Sequence, residues 1–360
     1  MAVTRSFLKN EPPAVGQLVT LAVGLFGAFA FRWLELPGAY LSGAMVAVAL
    51  LSIPGKATSI GTPLRWLAML LSGVSIGSAV TPETLRGAAT YPLSIVLMAV
   101  AAYAVTATSS FYLMRVHGWN KATALLASTP GAMSTALIIA GQTNANIPRI
   151  VVVQMFRAFL LMAVLPIVVT GASGHALANA VHADDPLWLI ALIAVPGLAF
   201  GWLLERWKVA GGLFLGIMAV SGFFHGTSIA DGRPPDWYMA SSQILIGAWI
   251  GSRFVGFDWK SLGGMLGAAL GSVTCSIAIS LAFAWLASRW LGFPIGQTML
   301  AFAPGAFEAM TLLAFALGLD PLYAVAHHLV RVLVMTFSIP LIMKVWLKDS
   351  IVRARSRSFR

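Results

Sequence analysis

The stretch PGAMSTALIIA at residues 130–140 returns, 174 positions later, as PGAFEAMTLLA at 304–314. At the same offset LLSGVSIGS (70–78) falls on ILIGAWIGS (244–252), pairing Gly73 with Gly247, Ile76 with Ile250, Gly77 with Gly251 and Ser78 with Ser252. The register then holds without a gap through Arg115 with Arg289, Arg157 with Arg331, and Pro166 with Pro340. Chance repeats in apolar sequence match Leu, Ala and Val; here Pro, Gly and Arg keep step. A duplicated apolar unit carrying a Pro-Gly break in each copy is a pattern shared by many transporters.

Composition excludes an ordinary soluble domain. Of the 360 residues 59% are hydrophobic and 10% charged, and the mean hydropathy is +0.85, so the expected class is an all-α, polytopic integral membrane protein. The expected organisation is a first membrane repeat over 14–170, a second over 187–346 and a basic cytoplasmic tail over 347–360. The net charge of +11 is scattered between apolar segments and in that short tail, which suits membrane topology better than a nucleic-acid surface. Cys275 is the only cysteine, which rules out an internal disulfide or a thiolate metal site. The N-terminal segment reads as an uncleaved first span rather than a signal peptide, because it fills the first slot of the repeat.

Pro130 and Pro304 lack an N–H and disfavour helix at the preceding residue, while Gly131 and Gly305 permit the reversal that follows. Each segment is therefore expected to form two half-helices. If both are re-entrant hairpins the chain has about ten transmembrane helices with both termini inside, and 17 of the 23 Lys and Arg face the cytoplasm. Arg32, Arg86, Arg233 and Arg289 then face out. If the segments cross fully, twelve spans result and the split becomes 14 to seven, so the positive-inside rule favours hairpins. Five spans per copy is an odd number, which inverts the second repeat relative to the first.

The segments GAYLSGAM (38–45) and GGLFLGIM (211–218), the PGAMS and PGAFEAM breaks, and AVAHHLVRVL (324–333) resemble the AbrB family of bacterial inner-membrane proteins, known for an internal duplication. That family is distinct from the small soluble DNA-binding regulator sharing the name. The resemblance covers about 14–346. It implies a multi-pass protein of the bacterial inner membrane, whose members carry labels such as ammonia monooxygenase and regulator of gene expression without an established mechanism. Typical members have a second Gly after Pro-Gly and an acid soon after. Here Ala132 and Ala306 take the Gly position, and only the second copy keeps an acid, Glu308.

Glu308 is the one acid well inside an apolar segment, at a cost on the order of 2.5–3.5 kcal/mol on insertion scales unless paired or watered. It sits in the first turn after Gly305, where helix N–H groups favour negative charge. It is read either as a coupling carboxylate for a proton or cation, or as a structural partner for an Arg. Arg157 and Arg331 lie about ten residues into their spans, too deep for easy snorkelling. Gln154 and His328 precede them by three residues on the same face. The candidate substrate-binding set is Pro130, Gly131, Ser134, Arg157, Pro304, Gly305, Glu308, His328 and Arg331, which would make an electropositive cavity suited to an anion.

No His, Cys or carboxylate cluster has metal-ligand spacing, and no Gly-rich phosphate loop is present, so neither enzyme nor metal site nor cofactor is expected. The expected partners are the lipid bilayer and a small anionic or polar solute. Nucleic acid is not among them, and the sequence leaves a homo-oligomer open. The reading is a proton- or cation-coupled secondary transporter, with a membrane sensor affecting gene expression as the alternative.

Overall fold

The computed structural model describes residues 12–131, 133–173, 184–209, 211–256 and 259–357. Its elements in chain order are α1 (Ala14–Trp33), α2 (Ala39–Ser52), α3 (Thr62–Gly77), α4 (Pro82–Gly87), a 3-10 turn (Ala88–Thr90), α5 (Pro92–His117), α6 (Lys121–Ser128), α7 (Met133–Gly141) and α8 (Ile147–Ser173). There follow α9 (Leu187–Arg206), α10 (Gly212–Gly226), α11 (Asp236–Ser252), α12 (Trp259–Leu291), α13 (Ile295–Phe302), α14 (Phe307–Ala316) and α15 (Pro321–Arg357). Among the described residues there is no strand, only an isolated bridge between Asp184 and Arg233. The order of the second half follows the first: α9, α10 and α11 fall on α1, α2 and α3, and α12 to α15 on α5 to α8.

Among the described residues six helices can cross a membrane by length and composition: α1, α5, α9, Ile147–Ala172 of α8, Gly263–Leu291 of α12 and Pro321–Lys344 of α15, or seven if α3 and the segment Pro82–Thr90, bent by 82° against it, count as one span. The six form three repeat-related pairs. Apolar α2, α10 and α14 are shorter. Side chains such as Phe26, Val195, Phe337 and Trp290, each 70–75% exposed, would be costly against water and suit acyl chains. The chain is a multi-pass membrane protein of all-α class.

Two compact units interleave along the sequence. The first comprises Met1–Tyr91, Met162–Trp259 and Phe307–Val325; the second comprises Pro92–Leu161, Lys260–Ala306 and Ala326–Arg360. Each therefore draws helices from both sequence repeats. The segment 347–357 continues α15 as helix, and 358–360 lie outside the described residues.

In the first unit, α1 packs on α2 and α9 on α10, while α2 packs on α11 and α10 on α3. The repeated glycines explain the exchange. A Cβ at Gly247 would lie 2.3 Å from the Leu41 carbonyl oxygen and one at Gly251 2.6 Å from that of Met45; the equivalent Gly73 and Gly77 meet Ile217 at 2.7 Å and Ser221 at 2.3 Å. Bare backbone lets the helices approach this closely, as in other membrane bundles. At one edge Asp320 caps α15, accepting the N–H groups of Leu322 (2.9 Å) and Tyr323 (3.2 Å). The Tyr91 hydroxyl donates to the other oxygen of Asp320. Burial, then Asp320, pushes the Tyr91 phenol above its ordinary range.

In the second unit, α5 meets α12 through Ser109 and Ser276 (2.9 Å) and α15 through Thr106 and the Met335 sulfur (3.8 Å). Its core gathers Leu113, Leu125, Leu126, Ile150, Val153, Ala269, Met335 and Ile339. Asn120 caps α6, accepting the Thr123 N–H at 2.7 Å; at the equivalent place α13 begins after Pro294.

The close approach is testable by melting the purified protein. Gly247→Ala, which meets a carbonyl oxygen, should destabilise by more than 1 kcal/mol, the low end for overpacking. Gly87→Ala, with nothing within 4 Å, should be neutral or slightly stabilising. Equal effects would show that the Gly247 contact is not tight.

Candidate functional site

The helices break where Pro-Gly predicts. Residues 129–132 separate α6 from α7, and 303–306 separate α13 from α14. A helix that stops in a buried surrounding leaves its last carbonyls without partners, at about 1–3 kcal/mol for each group left unpaired. Both breaks solve this in the same way. Arg157 donates from Nη1 to the Ser128 carbonyl (3.1 Å) and from Nη2 to that of Thr129 (3.0 Å). Arg331 donates from Nη1 to the carbonyl of Ala303 and from Nη2 to that of Gly305 (2.8 Å).

One turn earlier on each helix, Gln154 Nε2 donates to the Leu126 carbonyl (2.7 Å) and His328 Nε2 meets the Leu300 carbonyl (3.1 Å). The four contacts from 154 to 126, 157 to 129, 328 to 300 and 331 to 303 each span 28 residues. The duplication is thus written in side-chain contacts as well as in helix order. Since the Leu300 carbonyl can only accept, His328 Nε2 carries the hydrogen.

Both guanidiniums are buried, Arg157 at 3% and Arg331 at 2% exposure, and they lie within electrostatic reach of one another. Among the described residues neither has a carboxylate at ion-pair distance. Each faces the C-terminal end of a short helix, worth about half a negative charge, so roughly half of each cation is unmatched. Desolvating an ion costs several kcal/mol. Two charge-assisted hydrogen bonds at about 1.5–3 kcal/mol each offset that cost without exceeding it by much.

Gly131 adopts φ +81°, and a Cβ there would lie 3.4 Å from Arg331 Nε and 3.3 Å from Val332. Arg331 therefore stands between the two breaks, bonded to Gly305 and against Gly131. Its Nε is buried without a hydrogen-bond partner, as are Ser128 Oγ and His328 Nδ1. Pro130, Pro304 and Gly305 are buried; Gly131 is exposed. Ser134 lies on α7, but its side chain is outside the described residues, as is Ala132.

Glu308 belongs to the other unit, so the sequence-predicted set is divided: Pro130, Gly131, Arg157, Pro304, Gly305, His328 and Arg331 in the second unit, Glu308 in the first. It occupies the first turn of α14, partly buried. Its Oε1 is 3.9 Å from where a Cβ would sit on Gly211, the left-handed residue that starts α10. Arg253, just beyond α11, feels both the Glu308 carboxylate and the Arg65 guanidinium and lies 4.3 Å over the Trp249 ring. Arg253 is the electrostatic neighbour that sequence reasoning did not attach to Glu308. His225 lies in the last turn of α10 and is buried with Asp185.

A family model described as "Transition state regulatory protein AbrB" matches residues 55–347. The chain belongs to the AbrB family. A relative from Bacillus subtilis (strain 168), named "Uncharacterized protein YhjN", is 21% identical over 363 residues, covering 92% of this chain and 94% of the relative. A second, from Escherichia coli (strain K12) and named "Putative regulator AbrB", is 24% identical over 328 residues, covering 88% and 91%. In this AbrB chain both Pro-Gly breaks carry an arginine cap.

The caps give a prediction that separates hydrogen-bond geometry from charge. Lys keeps the charge but reaches one carbonyl where Arg reaches two. Arg157→Lys and Arg331→Lys should each lose about 1–3 kcal/mol in thermal or denaturant unfolding, and should be no better tolerated than Arg→Met, which removes the desolvated charge as well. Full rescue by Lys would mean that charge alone matters.

Proposed function

We propose that this protein is a secondary transporter of the bacterial inner membrane, coupled to a proton or cation, that moves a small anionic or polar solute. In this reading the chain has ten spans and two re-entrant Pro-Gly hairpins in inverted repeats, with both termini cytoplasmic. The reciprocal packing of α2 on α11 and α10 on α3 supports a twofold relation between repeats, and broken helices at equivalent positions are the usual place for a transported solute. The observation that carries the solute class is the guanidinium pair with no carboxylate at ion-pair distance among the described residues. Arg331 Nε and the start of α7 after Gly131 supply donors, and an anion there would neutralise charge that the carbonyl caps leave over.

The arginines in this account have two tasks. Their Nη groups hold the broken helices, and what remains of their field, with Nε of Arg331, attracts the solute. Ser134 and His328 are offered as further contacts. Glu308 is the coupling residue, set at a helix start with Arg253 in electrostatic reach. The family description and the name of the Escherichia coli relative favour a second reading, a membrane sensor that binds a ligand and affects gene expression without moving it.

Uptake into proteoliposomes under an imposed pH gradient separates the two. Transport predicts accumulation of a small anion that collapses with the gradient; ligand binding with no uptake favours the sensor. Glu308→Gln cannot ionise, so it should remove the pH dependence of uptake or binding more than it lowers affinity. An unchanged pH profile in that variant would exclude the coupling role.

Topology has its own test in a Cys275→Ser background. Ala178→Cys should react with an impermeant thiol reagent from outside, and Val255→Cys only after permeabilisation. The reverse pattern contradicts the inverted-repeat arrangement.

A further inference from the structure

His225 and Asp185 form a buried pair in the first unit that the transport reading does not use. Asp185 precedes α9 by two residues and His225 lies in the last turn of α10; they are 4% and 5% exposed. His225 Nε2 is 3.0 Å from Asp185 Oδ2, and Nδ1 is 2.8 Å from the Ser221 carbonyl oxygen. Both ring nitrogens therefore face acceptors. A carbonyl oxygen cannot donate, so Nδ1 must carry a hydrogen. A neutral ring has no second one, and its Nε2 lone pair would then confront a carboxylate oxygen at contact distance in a buried setting. Asp185 Oδ1 meanwhile accepts the Gly232 N–H at 3.1 Å, a contact that favours the ionised carboxylate.

We infer that this pair is a proton-binding site. In the folded protein His225 is an imidazolium, giving Nδ1–H to the Ser221 carbonyl and Nε2–H to the Asp185 carboxylate. The proton comes from water and forms one N–H bond; no other bond changes. Its structural consequence is a clasp. Asp185 also donates its backbone N–H to the Arg233 carbonyl (2.8 Å), so the pair fastens the segment entering α9 to the loop leaving α10. Removing the proton leaves two facing lone pairs and an unmatched buried carboxylate, and the contact opens.

The other charged groups at this end are few. Asp184, Asp231 and Arg233 lie on the two clasped segments, and Glu83 and Arg86 on α4, which packs against α10. The remaining helices packed on α10 bring Arg65 (α3) and Glu205 and Arg206 (α9), all at the opposite end, since Gly201 meets Leu213 and Gly73 meets Ile217. The inference does not rest on the transport reading and survives its failure.

Nitrogen-15 NMR of the histidine-labelled full chain in detergent tests it, with the His225 signal assigned by its loss in His225→Gln. The expected spectrum at neutral pH shows both ring nitrogens protonated; a bare ring nitrogen overturns the proposal. Asp185→Asn supplies a second arm. Its amide can accept from Gly232 while donating to Nε2, so the variant should fold with a neutral ring. Two protonated ring nitrogens in Asp185→Asn under the same conditions overturn the clasp, and if Asp185→Asn does not fold, the wild-type spectrum alone decides.

Discussion

A chain that stops being helical among apolar side chains leaves carbonyl oxygens that need donors, and in this protein two arginines supply them. Arg157 and Arg331 each span two carbonyls with one planar fork, which no other side chain does with so little loss of freedom. Gln154 and His328 add one donor each, a turn earlier. The breaks at 129–132 and 303–306 can persist because of these contacts. The cost is a pair of desolvated cations, and in the proposed reading that cost also serves the site's chemistry, since a place that stabilises its own backbone with positive charge can attract a negative solute.

Much of the architecture is legible in the chain. The 174-residue offset fixes which helices correspond, and Pro-Gly locates the breaks to within a few residues, because a missing N–H and a permissive φ act locally. The repeated glycines read only as generic close packing until the structure shows Gly247 and Gly251 against the carbonyls of Leu41 and Met45. The interleaving of the units has no local sign, since it depends on which faces of long helices such as α8 and α15 meet which neighbours.

The site was legible in part. The register placed Gln154 with Arg157 and His328 with Arg331 on shared faces, and a Lys or Arg that deep demanded a partner. That the partners are backbone carbonyls is not encoded by residue type, because every residue has a carbonyl. A clue was present in the constant separation of each donor from the end of its short helix in both copies. Glu308 stands out by depth alone, whereas its electrostatic neighbour Arg253 is remote in sequence. Asp185 carries no such mark, because it sits in an Asp-Asp-Pro segment between apolar stretches and its buried partner His225 is 40 residues away, at the end of α10.

The central claim is that the guanidiniums in the second unit leave positive charge for an anion to neutralise. Its most direct measurement is the melting temperature of the purified protein in a series of small anions at constant ionic strength and pH, for the wild type and for Arg331→Gln. The account predicts a rise for at least one anion that follows ligand linkage, about 2.7 kcal/mol at a hundred times the dissociation constant, and its loss in the variant. No anion-specific rise, or an equal rise in Arg331→Gln, would contradict it.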